Sequence, residues 1–456
     1  MRLLSFAATL ALFSCTTSRV EPQFVLKQTL EPQSGLKIQI YEHARNGLRL
    51  MLVPYNSPGV VAYVTAFDVG SRFEVQGRTG LAHLFEHMMF RGTPSFPEPF
   101  KTLAGWGDQF NAYTSSDLTL YHQTVPSVVL KDVIRFESER MRRLKITREG
   151  FNTERGAVVS ERKLRTEDAP FGRLYWELTQ LAYDRHPYKT GAIGWQEDLD
   201  ATSFEDAMEF YRRFYAPNRA QVVIVGDFEL PQVLAWMERH YGSFEREAFV
   251  EPRVEAEPQR KDLRRRVFKV RSENVIMATS WAFSPTFSSF RDAVAESMVC
   301  SLLADSERGF LHNEMVRKGL ARSVSDSCTP SVDPGLSSVF VAANPGVSVD
   351  QIESRFDELL NRFEPFIQES RVEPFKRLYL ADQLASLRSP MGIAEQLARL
   401  SIVARDPVIG FRVLQEMNAL SAKDLRAAWR RMRERARVRV FIQPSEQTEP
   451  IRRNQQ

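Results

Sequence analysis

His83, Glu86 and His87 lie within five residues of one another in an otherwise apolar stretch, Leu81-Ala82-His83-Leu84-Phe85-Glu86-His87-Met88-Met89-Phe90. Histidines four apart sit one helical turn apart on the same face, so a single cation can take a ring nitrogen from each. Two imidazoles so placed suit zinc, which in hydrolytic sites keeps three protein ligands and one open position. Glu86 can reach a water beside the ion without itself ligating. A carboxylate there can act as general base and later protonate a leaving amine. In a chain with seven histidines a chance match to this pattern is on the order of 0.01. Leu84, Phe85, Met88, Met89 and Phe90 make the segment too apolar for an exposed, incidental motif, and burying three ionisable groups without an ion would be costly.

The third ligand must come from another element. Glu154 and Glu161 are seven apart, two turns along one face of a helix expected over 148–165, with Val158 between them. Such a face can present one carboxylate to the ion and the other to a histidine whose tautomer it fixes. The spacing does not say which does which. His43, His122, His186, His240 and His312 read as ordinary surface or core residues.

Around these residues the pattern predicts strands over 48–53 and 60–67, joined by the turn-rich Pro54-Tyr55-Asn56-Ser57-Pro58-Gly59. It then predicts a helix over 80–90, a Thr- and Tyr-rich strand over 111–126 and helices over 128–144 and 148–165. Ser203-Phe204-Glu205-Asp206 reads as a capped helix start and 221–225 as a closing strand. Strands, then helices, then a strand point to an α+β layer with helices on one face of a sheet. The charged stretch 249–266 reads as a linker. A second strand-and-helix unit follows to about residue 445, with a tail over 446–456. Aligning Ser203 with Ser421 brings Asp206 onto Asp424, Tyr211-Arg212-Arg213 onto Trp429-Arg430-Arg431 and Val222-Val223-Ile224 onto Val440-Phe441-Ile442. This predicts two similar domains, 33–248 and 267–445, the second without a His-x-x-Glu-His.

The chain has 456 residues, 43% hydrophobic and 26% charged, with a formal charge of +4. These values fit ordinary multidomain globular protein and carry no nucleic-acid signature. The basic clusters over 260–266 and 426–439 read as solvated faces or linker. Met1-Arg2 and the apolar run to Phe13 have the length of a signal segment and are too short to span a bilayer. Leu12-Phe13-Ser14-Cys15 resembles a bacterial lipobox. It implies a signal over 1–15, lipidation at Cys15 and a polar tether over 16–32. Thr16 after the cysteine favours the outer membrane, facing the periplasm. Cys300 and Cys328 then remain, and two cysteines in a large domain are expected to stay unpaired.

With Gly80-Leu81-Ala82 before it and Phe90-Arg91-Gly92-Thr93 after it, the His-x-x-Glu-His segment closely resembles the pitrilysin family of zinc peptidases. The nearest branch holds the mitochondrial processing peptidase and its bacterial relatives. Asn111-Ala112-Tyr113-Thr114-Ser115, His186-Pro187-Tyr188, Phe214-Tyr215-Ala216-Pro217-Asn218 and Gly319-Leu320-Ala321 extend the resemblance along nearly all of the mature chain. It implies a two-domain α+β fold, each domain an antiparallel sheet covered by helices on one face, around a chamber for unfolded or short peptides. It implies one zinc per chain on His83, His87 and Glu161, with Glu86 as general base and Glu154 supporting a ligand. The strand carrying Asn111, Ala112 and Tyr113 resembles the edge that pairs with an extended substrate. Family members or their partners usually carry an Arg and, seven residues later, a Tyr in the second half, and here Met315 and Arg322 stand in those places. The resemblance therefore implies a dimer, either of two copies or with a homologous subunit that lacks the zinc motif and supplies the missing pair. A non-catalytic scaffold or chaperone is a further alternative, against which the intact Glu86 argues.

Overall fold

The computed structural model describes residues 23–451 apart from 34, 108, 259, 261, 283–289 and 329–330. Cys15 and the expected signal segment lie outside the described residues. The first sheet contains β1 (Phe24–Gln33), β2 (Leu36–His43), β3 (Arg49–Pro54), β4 (Val60–Phe67), β5 (Phe110–Thr114), β6 (Thr119–Pro126) and β7 (Ala220–Gly226), in the order β1-β2-β3-β7-β4-β6-β5. The second contains β8 (Leu263–Arg271), β9 (Ile276–Ala282), β10 (Ala321–Ser327), β11 (Leu336–Ala343) and β12 (Arg437–Ser445), in the order β10-β11-β9-β12-β8. Apart from the two strands added at β1 and β2, the orders correspond strand for strand. Both sheets are antiparallel except for one parallel pair, β3 with β7 and β8 with β12. The helices at Ser203 and Ser421 both open with a capping box.

β4 shows why each sheet needs cover on both sides. Its run Val60-Val61-Ala62-Tyr63-Val64-Thr65-Ala66-Phe67 is apolar at nearly every position, which suits a strand buried on two faces. Val61, Tyr63 and Phe67 enter one core with helices of the same half, including Leu81–Met88 and Phe204–Phe214. Ala62, Val64 and Ala66 enter another, filled by Ile393, Ala394, Leu397 and Ala398 of the helix Pro390–Val403. That helix belongs to the second half. The exchange is mutual. Leu174, Leu178 and Ala182 of the first-half helix Pro170–Ala182 pack on Phe268, Ala278, Val438 and Val440 of the second sheet. The α+β expectation holds, with an addition: each half covers one face of its own sheet and one face of its neighbour's.

Several local expectations change. Phe24–Gln33, expected as tether to residue 32, is an edge strand on β2; it buries Phe24 and is otherwise mostly exposed, so it lacks the alternation that marks a half-buried strand. The expected single strand over 111–126 is a hairpin, because Ser115 Oγ accepts from Asp117 N at 3.2 Å and Leu118 N at 3.1 Å and turns the chain. β8 begins inside the expected linker. Its arginines are not merely solvated: Arg264 pairs with Asp184, Arg265 with Glu353 and Arg266 with Glu177. Arg439 of the other basic cluster is wholly buried on Glu353 and Asp357. Within the expected tail, Glu449 N donates to Lys269 O at 3.0 Å. Cys300 and Cys328 form a disulfide, because the helix Phe290–Ala304 packs under β10 and brings buried Cys300 beneath the end of that strand.

A polar tie crosses between the halves beside these cores. Asp333 accepts from Arg72 Nε at 2.5 Å and lies 3.1 Å from His186 Nε2. Next to it Tyr188 Oη donates to Asp117 Oδ1 at 2.6 Å, and Val332 N donates to Asp117 Oδ2 at 3.1 Å. Burial would raise the Asp333 carboxyl, but its bonds to His186 and Arg72 outweigh this and hold it at about 2, against 3.8 ordinarily. A depressed carboxylate adds stability that is present above its unfolded value and lost as pH falls through the folded one. Asp333→Asn is therefore expected to cost about 1–2 kcal/mol at pH 7, its partial exposure limiting the loss. The difference from wild type should narrow between pH 4 and pH 2. Urea unfolding across that range checks this, and a pH-independent difference would contradict it.

Candidate metal centre

The helix Leu81–Met88 enters through Gly80, whose φ of 89° is left-handed and whose added Cβ would lie 2.8 Å from Leu199 Cδ2. The first amides of a helix have no partner within it. Here Glu74 accepts from Gly80 N at 2.8 Å and from Ala82 N at 2.7 Å. Asp198 Oδ2 holds the preceding residue, accepting from Thr79 N at 3.2 Å and Thr79 Oγ1 at 2.7 Å. Burial pushes the Glu74 carboxyl up to about 8 in spite of the backbone donors. Behind the helix Phe85 stacks on Tyr211 with ring centres 5.1 Å apart. The entry and the core side together fix the rotation of the helix, so that His83, Glu86 and His87 face the helix Arg148–Arg162 and β5.

Across from them, Glu161 Oε2 lies 3.2 Å from His87 Nε2 and 3.8 Å from His83 Nε2. Ligand atoms of His83, His87 and Glu161 all fall within 4.8 Å of one another. Glu154, two turns before Glu161, lies instead with Oε2 3.3 Å from His87 Nδ1. The two carboxylates thus take different positions, one toward the common point and one behind a ring. Glu86 stands beside the cluster, its Oε2 accepting from Thr114 Oγ1 at 2.6 Å. Burial lowers His83 to about 4, with the neighbouring His87 adding to the effect, so its ring is neutral near pH 7. Burial would also lower His87, but Glu154 and Glu161 prevail and raise it to about 9. The bond from His87 holds Glu161 below its ordinary value, and burial raises Glu86 against the pull of Thr114.

Three partners here were not singled out from the sequence. Thr114 holds Glu86. Arg91 Nε holds Glu154 Oε1 at 2.8 Å, and Arg165 holds Glu161 Oε1 at 2.8 Å. Arg91 and Thr114 sit in stretches that carried the family resemblance, which was the available signal. Glu161 is followed by a π-helical turn, Lys163–Asp168, in place of the expected continuous α-helix to 165. Asn111, Ala112 and Tyr113 lie on β5, which among the described residues pairs only with β6 and leaves its other edge open. Met315 is not near a surface: it is wholly buried in the second-half core, while Arg322 is exposed on β10. His43 and His186 are buried.

Two family models match the chain on either side of residue 200. Insulinase (Peptidase family M16) matches residues 51–189, the span that contains every residue of the cluster, and the Peptidase M16 inactive domain matches 202–377. The zinc protease PqqE of Helicobacter pylori is 28% identical over 358 residues, 77% of this chain and 80% of its own. A crystal structure of a protease from Helicobacter pylori superposes with a TM-score of 0.84 at 26% identity, over 90% of this chain and 100% of that one. The periplasmic protease PqqL of Escherichia coli superposes at 0.72 with 19% identity, over 92% of this chain and 48% of its own.

The cap at the helix entry makes a stability prediction. Glu74→Ala leaves two buried amides without acceptors and is expected to cost about 1–2 kcal/mol. An unchanged urea midpoint would show that the cap is dispensable.

Proposed function

We propose that this chain, which belongs to peptidase family M16, is a zinc-dependent endopeptidase that cleaves unfolded or short peptides in the bacterial envelope. The convergence of His83, His87 and Glu161 with Glu86 beside them carries the reading. Two imidazole nitrogens and one carboxylate oxygen are a donor set that suits zinc and leaves a position open.

A zinc ion held there supplies Lewis acidity, which makes a water deprotonable near neutral pH and polarises a peptide carbonyl. The chain's own residues do the rest. Glu86 takes the proton of the attacking water, helped by the burial that raises its proton affinity, and delivers it to the departing amine. Thr114 orients Glu86, and Glu154, itself held by Arg91, fixes the His87 ring so that Nε2 faces Glu161 and would be free to hold a zinc ion. The open edge of β5 aligns an extended peptide by main-chain hydrogen bonds.

For location, Cys15 is the proposed lipid attachment point, with the chain facing the periplasm at the outer membrane. The related PqqL is a periplasmic protease, which supports the periplasmic part of this reading. Among the described residues no helix is long and apolar enough to cross a membrane. For assembly we favour a dimer. Met315, buried in the core, offers no substrate contact, and this supports a homologous partner that supplies the Arg and Tyr.

Glu86→Gln is expected to lower cleavage of a quenched casein-like peptide by about a thousandfold or more while bound zinc, measured by elemental analysis, stays near one per chain. Cleavage that survives the change would defeat the mechanism. Glu154→Gln should weaken zinc affinity by about 10–100-fold in a chelator competition. Wild-type affinity in that variant would mean Glu154 does not support His87.

A further inference from the structure

A cavity of about 410 Å³ opens where the end of β5 meets the second half. Its walls include Tyr113 and Thr114 from β5, Ser327 and Ser331 from the second half, and Arg399 from the helix Pro390–Val403. Many of the lining residues carry hydroxyl groups, among an otherwise apolar surface. Its carboxylate, Asp117, is already engaged by Tyr188 and Val332. Arg399 is different. Its Nη1 is buried and has no hydrogen-bond partner among the described residues. Burial pulls its pKa down, with Tyr113 and Glu395 acting against the shift. The nearby Glu395 lies with Oε1 3.5 Å from His122 Nδ1. A buried donor of an ionised group is normally satisfied, and a cavity-lining arginine with such an unmet donor, beside the edge proposed to bind peptide, is a place for an acceptor from outside the chain to meet the guanidinium.

The register of β5 says which part of a peptide would provide it. Ala112 and Thr114 face the catalytic helix, Ala112 packing into its core and Thr114 touching Glu86. Tyr113, opposite Leu120, faces the other side, where the helix carrying Arg399 covers the sheet. A strand added along β5 alternates in the same way. Side chains that point toward the metal therefore alternate with side chains that point toward Arg399.

We infer that Arg399 and the hydroxyl-lined cavity beside Tyr113 form a binding subsite for a carboxylate of an extended peptide, on the side of β5 away from the metal. The inference rests on the peptidase reading of the β5 edge. Arg399 acts here as a substrate-binding residue that selects acidic peptides from the second half of the same chain. The carboxylate can come from a glutamate or aspartate side chain or from the peptide's own C-terminus.

The test is binding to the full-length Glu86→Gln protein, which separates recognition from cleavage. Fluorescein-labelled short peptides of alanine, serine and glycine carry one glutamate moved position by position. Each has a glutamine twin, and each is made as free acid and as C-terminal amide. Anisotropy should show glutamate peptides binding about tenfold more tightly than their twins at positions two apart and not between them. If the free acid and not the glutamate carries the selectivity, the terminus is the source and the subsite stands. Arg399→Gln should bring every pair to within about twofold, and Arg399→Lys should retain part of the difference. A melting curve confirms that each variant is folded. Equal binding by the Glu86→Gln protein both of every glutamate–glutamine pair and of every free acid and its amide, or selectivity that persists in Arg399→Gln, would overturn the subsite. Cleavage by wild type is read separately on the same peptides. Selective binding without cleavage would count against the catalytic reading and leave Arg399 in place; cleavage without selectivity would do the reverse.

Discussion

The structure depends on a mutual exchange of cover. Neither sheet can bury both of its apolar faces with helices of its own half. The helix Pro390–Val403 seals the first sheet and Pro170–Ala182 seals the second. Small residues are well represented in the first contact: Ala394 and Ala398 share one core with Ala62 and Ala66. Burial at this scale is worth roughly 25 cal/mol per Å² of apolar surface, so each half would expose a costly apolar face without the other. The exchange also sets the position of everything between the halves. The Asp333 tie, the cavity beside β5 and Arg399 are where they are because these helices cross over.

The metal cluster is a second, smaller constraint that leans on the first. β4 and β7, buried on both faces, form the floor on which Phe85 and Leu84 anchor the helix Leu81–Met88. Glu74 and Gly80 fix where that helix begins. With start and floor fixed, His83 and His87 have little freedom left, and the remaining adjustment falls to the carboxylates. Arg91 and Arg165 restrain these from the outer side, each on the oxygen that does not face a histidine. The cluster is thus a set of short bonds that ends on arginines, with each of these two carboxylates held by a partner of opposite charge.

Much of this was legible in the sequence where the signal is local. The spacing of His83 and His87, the capping boxes at Ser203 and Ser421 and the uninterrupted apolar run of β4 each announce an element within a few residues. What was not legible depends on contacts remote in sequence. The apolar stripe of Pro390–Val403 shows that the helix is covered, not that Val64 covers it. The pairing of Cys300 with Cys328 follows from how the helix Phe290–Ala304 lies under β10. β1 escaped because an edge strand with one buried residue has no periodicity to read. The division of roles between Glu154 and Glu161 came from resemblance and not from spacing, since seven residues put both on one face. Arg399 carries no motif at all; its meaning arises from the cavity and from an unmet donor.

β5 has one free edge, and an edge strand recognises main chain before it recognises side chains. A segment can pair there only if its own amides and carbonyls are not already bonded, so a folded protein must first release that segment. The free energy of that release belongs to the target and not to this chain. Turnover at such an edge then follows the fraction of time a target spends locally open, and two polypeptides of identical local sequence would be treated differently according to their stability. The open strand is in this sense a gauge of other proteins' foldedness.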